Sequence, residues 1–295
     1  MKSRAQIKEQ AKLAISRQRG GLIGVLLLAT LLASVGSFVP MVSFVVVPVL
    51  SVSTMYIRLM AYTERRVRPK HIFFGFENFG RNFGTVLLTN LITMGPYIIV
   101  LVVFYVVLLM EQISRANIHN YYDYYLWSSR SLSLRLPLLL LMIVALVWTI
   151  VASLIFWAVP YVLADSKNSG VKSSLKTALR MMKGNKGRVF VFQMSFFGWA
   201  MAGIFPMVLM FISIPLNMPA LTGFLGIFAI LAMIAYYIVF FTPYMGVSYA
   251  GLYLDIKEDA LRNGSITAEE FYLADQPVRK PTAPTYPEEP PIEIG

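Results

Sequence analysis

Positively charged side chains at helical spacing are the residues in this sequence whose types and spacing could bind a ligand. Between positions 172 and 188 they recur every two to four residues, at Lys172, Lys176, Arg180, Lys183, Lys186 and Arg188. A row of cations can bind the phosphates of a nucleic acid, a nucleotide or a lipid headgroup. The sequence around these cations indicates which of these ligands is compatible with the chain.

Two soluble phosphate-binding interpretations fail on context. The stretch "GNKG" at 184–187 matches the GxxG loop of an RNA-binding module, but that module needs a soluble domain around it. No GxxxxGK[ST] loop occurs anywhere in the chain, so the commonest signature of a nucleotide hydrolase is absent. We therefore expect no nucleic-acid partner and no cofactor. Lipid phosphate remains, with charge that only sets membrane topology as the alternative.

The apolar composition predicts a membrane protein. Hydrophobic residues make up 57% of the 295 positions and charged residues 14%, against about 25% charged in soluble proteins. The apolar residues form blocks such as "PLLLLMIVALVWTIVASLIFWAVPYVLA" (137–164), longer than the ~20 residues that a helix needs to cross a bilayer. The sequence predicts an all-α, polytopic membrane protein.

Hydropathy predicts six transmembrane helices in three hairpins, each hairpin preceded by an amphipathic interfacial segment. The first two share one apolar block, which we divide at Pro40 because proline lacks a backbone donor. A cytoplasmic amphipathic helix at 1–20 precedes a transmembrane domain at 21–255, and an interfacial helix is expected at 168–184. The tail at 256–295 is rich in proline and is predicted to be disordered. The six spans are about 21–39, 42–62, 84–110, 136–163, 188–215 and 221–252.

Charge distribution predicts the orientation. With six spans and a cytoplasmic N-terminus, all 26 Lys and Arg residues except Arg115, Arg130 and Arg135 fall on the cytoplasmic side. Cytoplasmic segments collect Lys and Arg. We therefore expect a multi-pass protein with an even number of spans and with both termini in the cytoplasm.

The row of cations has a partner near the N-terminus, which predicts an internal repeat. "IKEQAKLAISRQRG" (7–20) aligns without gaps to "VKSSLKTALRMMKG" (171–184), and "HIFFGFENFGRNFG" (71–84) is a weaker third copy. Chance similarity of amphipathic segments is the alternative. In 171–183 an apolar stripe (Val171, Leu175, Ala178, Leu179, Met182) runs beside the basic one, which favours a helix in the headgroup plane. The candidate lipid-headgroup contacts are Lys8, Lys12, Arg19, Lys172, Lys176, Arg180, Lys183, Lys186 and Arg188.

The sequence offers no set of residues that could form a catalytic or metal-binding site. The chain has no Cys, and its two histidines, His71 and His119, fall on opposite sides of the membrane in the predicted topology. Away from the helix ends, no ionisable side chain lies in a predicted span, whereas proton-coupled pumps carry such groups near the midplane. We expect neither a metal site nor an enzyme.

Two spans end in Pro-Tyr followed by an acidic residue, in "VPYVLAD" (159–165) and "TPYMGVSYAGLYLD" (242–255). Pro160 and Pro243, with Tyr161 and Tyr244 beside them, are predicted to kink their helices. Asp165 is predicted to cap the following helix or to pair with a nearby Lys or Arg.

These stretches, together with "MMKGNKGRVFVFQMSFFGW" (181–199), carry a family resemblance. The chain resembles, over roughly residues 1–255, a bacterial membrane family of the Firmicutes called domain of unknown function nine-seven-five. The resemblance implies an integral plasma-membrane protein with several helices. The family is also distantly similar to the membrane domain of some bacterial glycerophosphodiester phosphodiesterases, which implies work related to lipid. It implies no catalytic residues.

Three functions are compatible with these features. The first is a non-enzymatic membrane protein that engages anionic lipid or a membrane-protein partner through its basic interfacial helices. The second is a transporter or permease-like subunit for an apolar or peptide substrate, built on internal repeats. The third is a lipid-related membrane enzyme, which the family resemblance alone suggests.

Overall fold

The computed structural model describes residues 2–38, 40–115, 121–166, 170–213 and 219–271, which are helical nearly throughout. The first part of the chain contains α1 (Arg4–Arg17), α2 (Arg19–Ser37), α3 (Pro40–Tyr62), a 3-10 turn (Pro69–Phe73), α4 (Phe74–Glu77), α5 (Phe79–Arg115) and α6 (Tyr121–Ile155). The second part contains α7 (Val159–Asp165), α8 (Val171–Met182), α9 (Lys186–Met194), α10 (Phe197–Ala202), α11 (Phe205–Ser213), α12 (Pro219–Ala235), a π-helical turn (Tyr236–Phe241), α13 (Thr242–Arg262) and a 3-10 turn (Ala268–Glu270).

The helices pack as antiparallel pairs, and the prediction of an all-α polytopic membrane protein is confirmed. α2 packs on α3, α5 on α6, and α11 on α12. Within the described residues, five segments are long and apolar enough to cross a bilayer: Phe44–Tyr62, Phe79–Ile113, Ser133–Asp165, Lys186–Val208 and Leu221–Arg262. A sixth arises if α1 and α2, bent by 94° at their junction, form one broken span.

A proline and a glycine lie at two of the helix boundaries. α3 begins at Pro40, where the missing N–H would have had no partner in the helix. The predicted fifth span is interrupted by turns after Met194 and after Ala202. At the second turn, a Cβ on Gly203 would lie 2.8 Å from the rings of both Tyr236 and Tyr237. These tyrosines donate hydrogen bonds to the carbonyls of Trp199 (2.8 Å) and Ala200 (2.7 Å), so they satisfy backbone acceptors beside the break.

The buried core lies at one end of the bundle, where α1, α3, α7, α8 and α13 contact one another. Tyr161, Phe192 and Tyr253 are among its largest buried side chains. We call this region the charged end, because Arg58, Asp165, Arg188 and Lys257 also lie in it. By contrast, α5 and α6 expose long rows of Leu, Ile and Val, as expected of lipid-facing helices.

The C-terminal boundary differs from the sequence interpretation. α13 continues through residue 255 to Arg262, and Ile256, Lys257 and Ala260 on it are buried. Phe271 is fully buried and forms an isolated antiparallel bridge with Ser166. The part of the predicted tail from 256 to 271 is therefore integrated into the fold. Residues 272–295 lie outside the described part of the chain.

Candidate functional site

Helix α8 separates a buried face from a basic face. Its inward side consists of Ser174, Thr177, Ala178, Met181 and Met182, all of which are buried. The outward side carries Lys172, Lys176, Arg180 and Lys183, all of them exposed. We call these four residues the basic face. They fall on one side of the helix because their spacings of three and four residues match its turn.

The apolar stripe of α8 is covered largely by protein. The position of the helix in the headgroup plane stays a prediction. Ala178 and Met182 are fully buried, and Leu175 packs partly buried against the same core. Leu179, 37% exposed, lies among the cations instead. Periodicity shows that a helix has an apolar face but does not show what covers it. Here the protein covers it, and the basic face is left outward.

A shallow recess lies at the C-terminal end of the basic face. It has a volume of about 260 Å³ and is lined by Arg180, Lys183 and Ser265. Arg180 is oriented by the buried Thr177, because its Nη2 lies 3.3 Å from the Thr177 hydroxyl. Gly184 then ends α8 with φ at +84°, a backbone conformation that glycine adopts readily.

The turn after α13 places Ser265 at this recess. Gly264 has φ at +65°, and the Ser265 N–H donates to the carbonyl of Ala260 at 2.9 Å. The next residue, Ile266, is 3% exposed and belongs to the core. The backbone of Ser265 is therefore fixed by the end of one helix and by a buried neighbour.

Two cations of α1, and Arg19 at the start of α2, have different surroundings from their counterparts at 172–183. Lys8 lies 4.1 Å from the centroid of the Phe196 ring and donates to the Ser195 carbonyl at 3.0 Å. Lys12 lies over Tyr244 at 5.7 Å, and Arg19 lies over Phe240 at 5.1 Å. These three candidate lipid contacts thus face aromatic rings of the protein.

Arg188 points into the charged end, whereas its neighbour Lys186 is exposed. Arg188 forms an ion pair with Asp255, whose side chain is 4% exposed. Asp255 also accepts a hydrogen bond from the backbone N–H of Lys2 at 2.9 Å. The pair therefore ties the N-terminus to the start of α9 and to α13. The sequence analysis noted Asp255 as the acidic end of the second Pro-Tyr motif but assigned it no partner.

Asp165 pairs with a lysine, one of the two roles that the sequence predicted for it. Lys257 Nζ lies 2.5 Å from Asp165 Oδ2, and the Tyr253 hydroxyl lies 3.2 Å from the same oxygen. Asp165 is fully buried, so an opposite charge is required beside it. Lys257 also lies 4.1 Å from the centroid of the Phe271 ring.

The two Pro-Tyr motifs supply residues to this core. Pro160 and Pro243 each lie in the first turn of a helix, α7 and α13, directly after a departure from α-helical geometry. Tyr161 stacks on Tyr253 at 5.1 Å, and Tyr244 contacts the Phe196 ring at 5.5 Å.

Arg58, which the sequence reasoning did not single out, reaches the same core from α3. It passes over Gly246, where a Cβ would lie 2.4 Å from Nε. An arginine inside an apolar run was the signal that could have identified it.

The described residues contain no group of three or more His, Cys, Asp or Glu side chains that could hold a metal ion. Nδ1 of His71 accepts a hydrogen bond from the Arg68 N–H at 3.2 Å, and its ring meets Tyr56 edge-on at 5.7 Å. His119 lies outside the described residues.

The fold and the charged end define a multi-pass, all-helical membrane protein. The family model described as protein of unknown function (DUF975) matches residues 1–260, and the chain belongs to this family. The family resemblance drawn from the sequence is thereby confirmed. Neither the curated proteins nor the solved structures contain a match.

Proposed function

We propose that this is a non-enzymatic protein of the plasma membrane that binds anionic lipid headgroups through the basic face of α8. One observation carries the proposal: α8 buries its apolar side in the protein and leaves Lys172, Lys176, Arg180 and Lys183 exposed on the opposite side. A helix held in this way presents its cations on a rigid support.

The charge of the basic face favours an anionic partner. Lys172, Lys176 and Lys183 make no ion pair with any described residue. Each cation near an anionic leaflet contributes about 1 kcal/mol, and salt screens the attraction over about 8 Å. Leu179 adds an exposed apolar side chain among the cations, which suits the boundary between headgroups and acyl chains.

The orientation of the chain supports a cytoplasmic location of this face. The basic segments at 2–19, 65–70 and 172–188 would share one side of the membrane with both termini. Arg135, one of the three exceptions, pairs with Glu111 between α5 and α6.

The repeated segments would then divide two tasks. α1 and α8 both pack on α13, and each leads into a helical hairpin. Lys8 and Lys12 of α1 lie over aromatic rings and would hold the bundle together. The cations of α8 would bind lipid.

Native mass spectrometry on protein extracted from mixed-lipid membranes tests the proposal. Replacing Lys172, Lys176, Arg180 and Lys183 with Gln should strongly reduce retained anionic lipid, since four cations at about 1 kcal/mol each correspond to about a thousandfold in affinity. A matched variant that replaces the exposed cations Arg4, Arg66, Arg68 and Lys70 removes the same charge elsewhere and should retain the lipid. Equal retention by wild type and the α8 variant would overturn the proposal.

A further inference from the structure

We infer that the recess formed by Arg180, Lys183 and Ser265 is a subsite for a terminal phosphate group, and that it makes the protein prefer phosphomonoester lipids over other anionic lipids. This inference rests on the lipid-binding function proposed above. It adds a chemical class of headgroup and a residue, Ser265, that lies outside α8.

The side chains in the recess match the chemistry of a phosphate. A guanidinium offers a planar fork of donors, an ammonium offers a compact charge, and a hydroxyl offers one more donor. Combinations of Arg with further donors recognise phosphate groups by charge-assisted hydrogen bonds. Among the described residues, Arg180, Lys183 and Ser265 line the recess and supply these groups.

Two of the three residues have contacts that position them before a ligand arrives. Arg180 donates to the Thr177 hydroxyl at 3.3 Å. Ser265 is positioned by its backbone bond to Ala260 and by the buried Ile266. A preorganised site loses less entropy on binding than a set of mobile surface lysines.

The charge of the recess favours one class of lipid headgroup. The recess has a volume of about 260 Å³ and is shallow, and a single phosphate group fits in it. A phosphomonoester carries about −1.5 to −2 charges at neutral pH. The two cations of the recess match this charge. A phosphodiester lipid such as phosphatidylglycerol carries a single negative charge and would leave one cation without a counter-charge.

Competition between two lipids tests the inference on the full chain. Wild-type protein in nanodiscs with equal amounts of phosphatidic acid and phosphatidylglycerol should retain mainly phosphatidic acid, as measured by native mass spectrometry. Ser265→Ala should lower this preference about tenfold, the factor that a lost hydrogen bond to a charged group corresponds to. Ser173→Ala removes an exposed serine from α8 outside the recess and should leave the preference unchanged.

The outcomes separate this inference from the proposed function. If the α8 Gln variant loses both lipids but wild type shows no preference, or if Ser265→Ala keeps the full preference, the recess is not a phosphate subsite. If the α8 variant keeps both lipids, the lipid-binding function itself fails.

A third arm, calorimetric titration of lipid-free detergent-solubilised protein with inorganic phosphate, identifies the source of the phosphate. Binding that depends on Ser265, without any preference for phosphatidic acid, would overturn the assignment to a lipid.

Discussion

Lys257 and Asp165, 92 positions apart in sequence, form an ion pair in the charged end, where their side chains are 6% and 0% exposed. The pair joins the end of α7 to α13. A buried charge that loses its partner is costly, whereas a buried pair replaced as a whole often is not.

Breaking this pair should therefore destabilise the protein strongly. Asp165→Asn leaves the Lys257 ammonium buried without a counter-charge, and we expect a loss of about 3–5 kcal/mol in the free energy of unfolding. The double variant Asp165→Asn with Lys257→Met should lose less than the sum of the single variants, by about 0.5–3 kcal/mol. Unfolding by sodium dodecyl sulphate titration measures both quantities. Strict additivity of the two substitutions would contradict an interaction between the residues.

A methyl group at position 246 should disturb Arg58. The Cβ of Gly246→Ala would lie 2.4 Å from Arg58 Nε and 2.8 Å from its Cζ, so the guanidinium or the helix must shift. Because these atoms belong to the outer part of a flexible side chain, we expect a cost at the lower end of the about 1–3 kcal/mol that overpacking causes. Gly24→Ala in α2 is the control, since nothing lies within 4 Å of its added Cβ. Thermal unfolding in detergent should show a lower midpoint for the first variant, and equal midpoints would contradict the close approach.

Acidification should loosen the turn at His71. Partial burial, followed by the positive charges of Lys70 and Arg68, lowers the pKa of His71 from its usual 6.5, while Glu77 opposes this shift. A histidine whose pKa is lower in the folded state contributes stability in full above about pH 6.5, and loses it as the pH falls towards the folded-state pKa. Protonation also removes the Nδ1 acceptor that receives the Arg68 N–H.

Hydrogen exchange of the amides at 68–75, corrected for intrinsic rates, measures this change. We expect lower protection at pH 5 than at pH 8 in wild type, and no such difference in His71→Gln. If the protection of these amides in wild type is the same at pH 5 and pH 8, a neutral His71 in the folded turn is contradicted.

The absence of cysteine from the chain allows a direct test of orientation. Ser173→Cys on α8 should react with a membrane-impermeant maleimide only from the cytoplasmic side. Tyr125→Cys, at an exposed position near the start of α6, should react only from outside. The physical reason is the retention of Lys and Arg in the cytoplasm. Labelling of both sites from the same side would contradict the topology.

Local sequence patterns predicted the helices well. Where a predicted helix boundary is wrong, contacts between residues distant in sequence explain the difference. Pro40 marks the start of α3, because its missing donor is harmless there. α13 extends beyond the apolar run because Asp255 and Lys257 find partners at positions 188 and 165. Hydropathy counts these residues as polar and ends the span before them.

The same limit applies to the candidate site. The basic spacing of α8 was visible in the sequence, whereas Ser265 reaches the recess through the turn after α13. The repeat suggested equal roles for Lys8 and Lys172. In the structure Lys8 lies over Phe196 while Lys172 is exposed, since the two helices meet different neighbours.

Photo-crosslinking from position 179 tests the central claim most directly, because Leu179 is exposed among the cations of the basic face. A benzoyl-phenylalanine at this position, in nanodiscs of equal phosphatidylglycerol and phosphatidylcholine, should crosslink predominantly to phosphatidylglycerol. The enrichment should disappear when Lys172, Lys176, Arg180 and Lys183 are replaced with Gln, and should persist when Arg4, Arg66, Arg68 and Lys70 are replaced. Equal crosslinking to the two lipids in wild type, or enrichment that survives the α8 substitutions, would contradict lipid binding by this face.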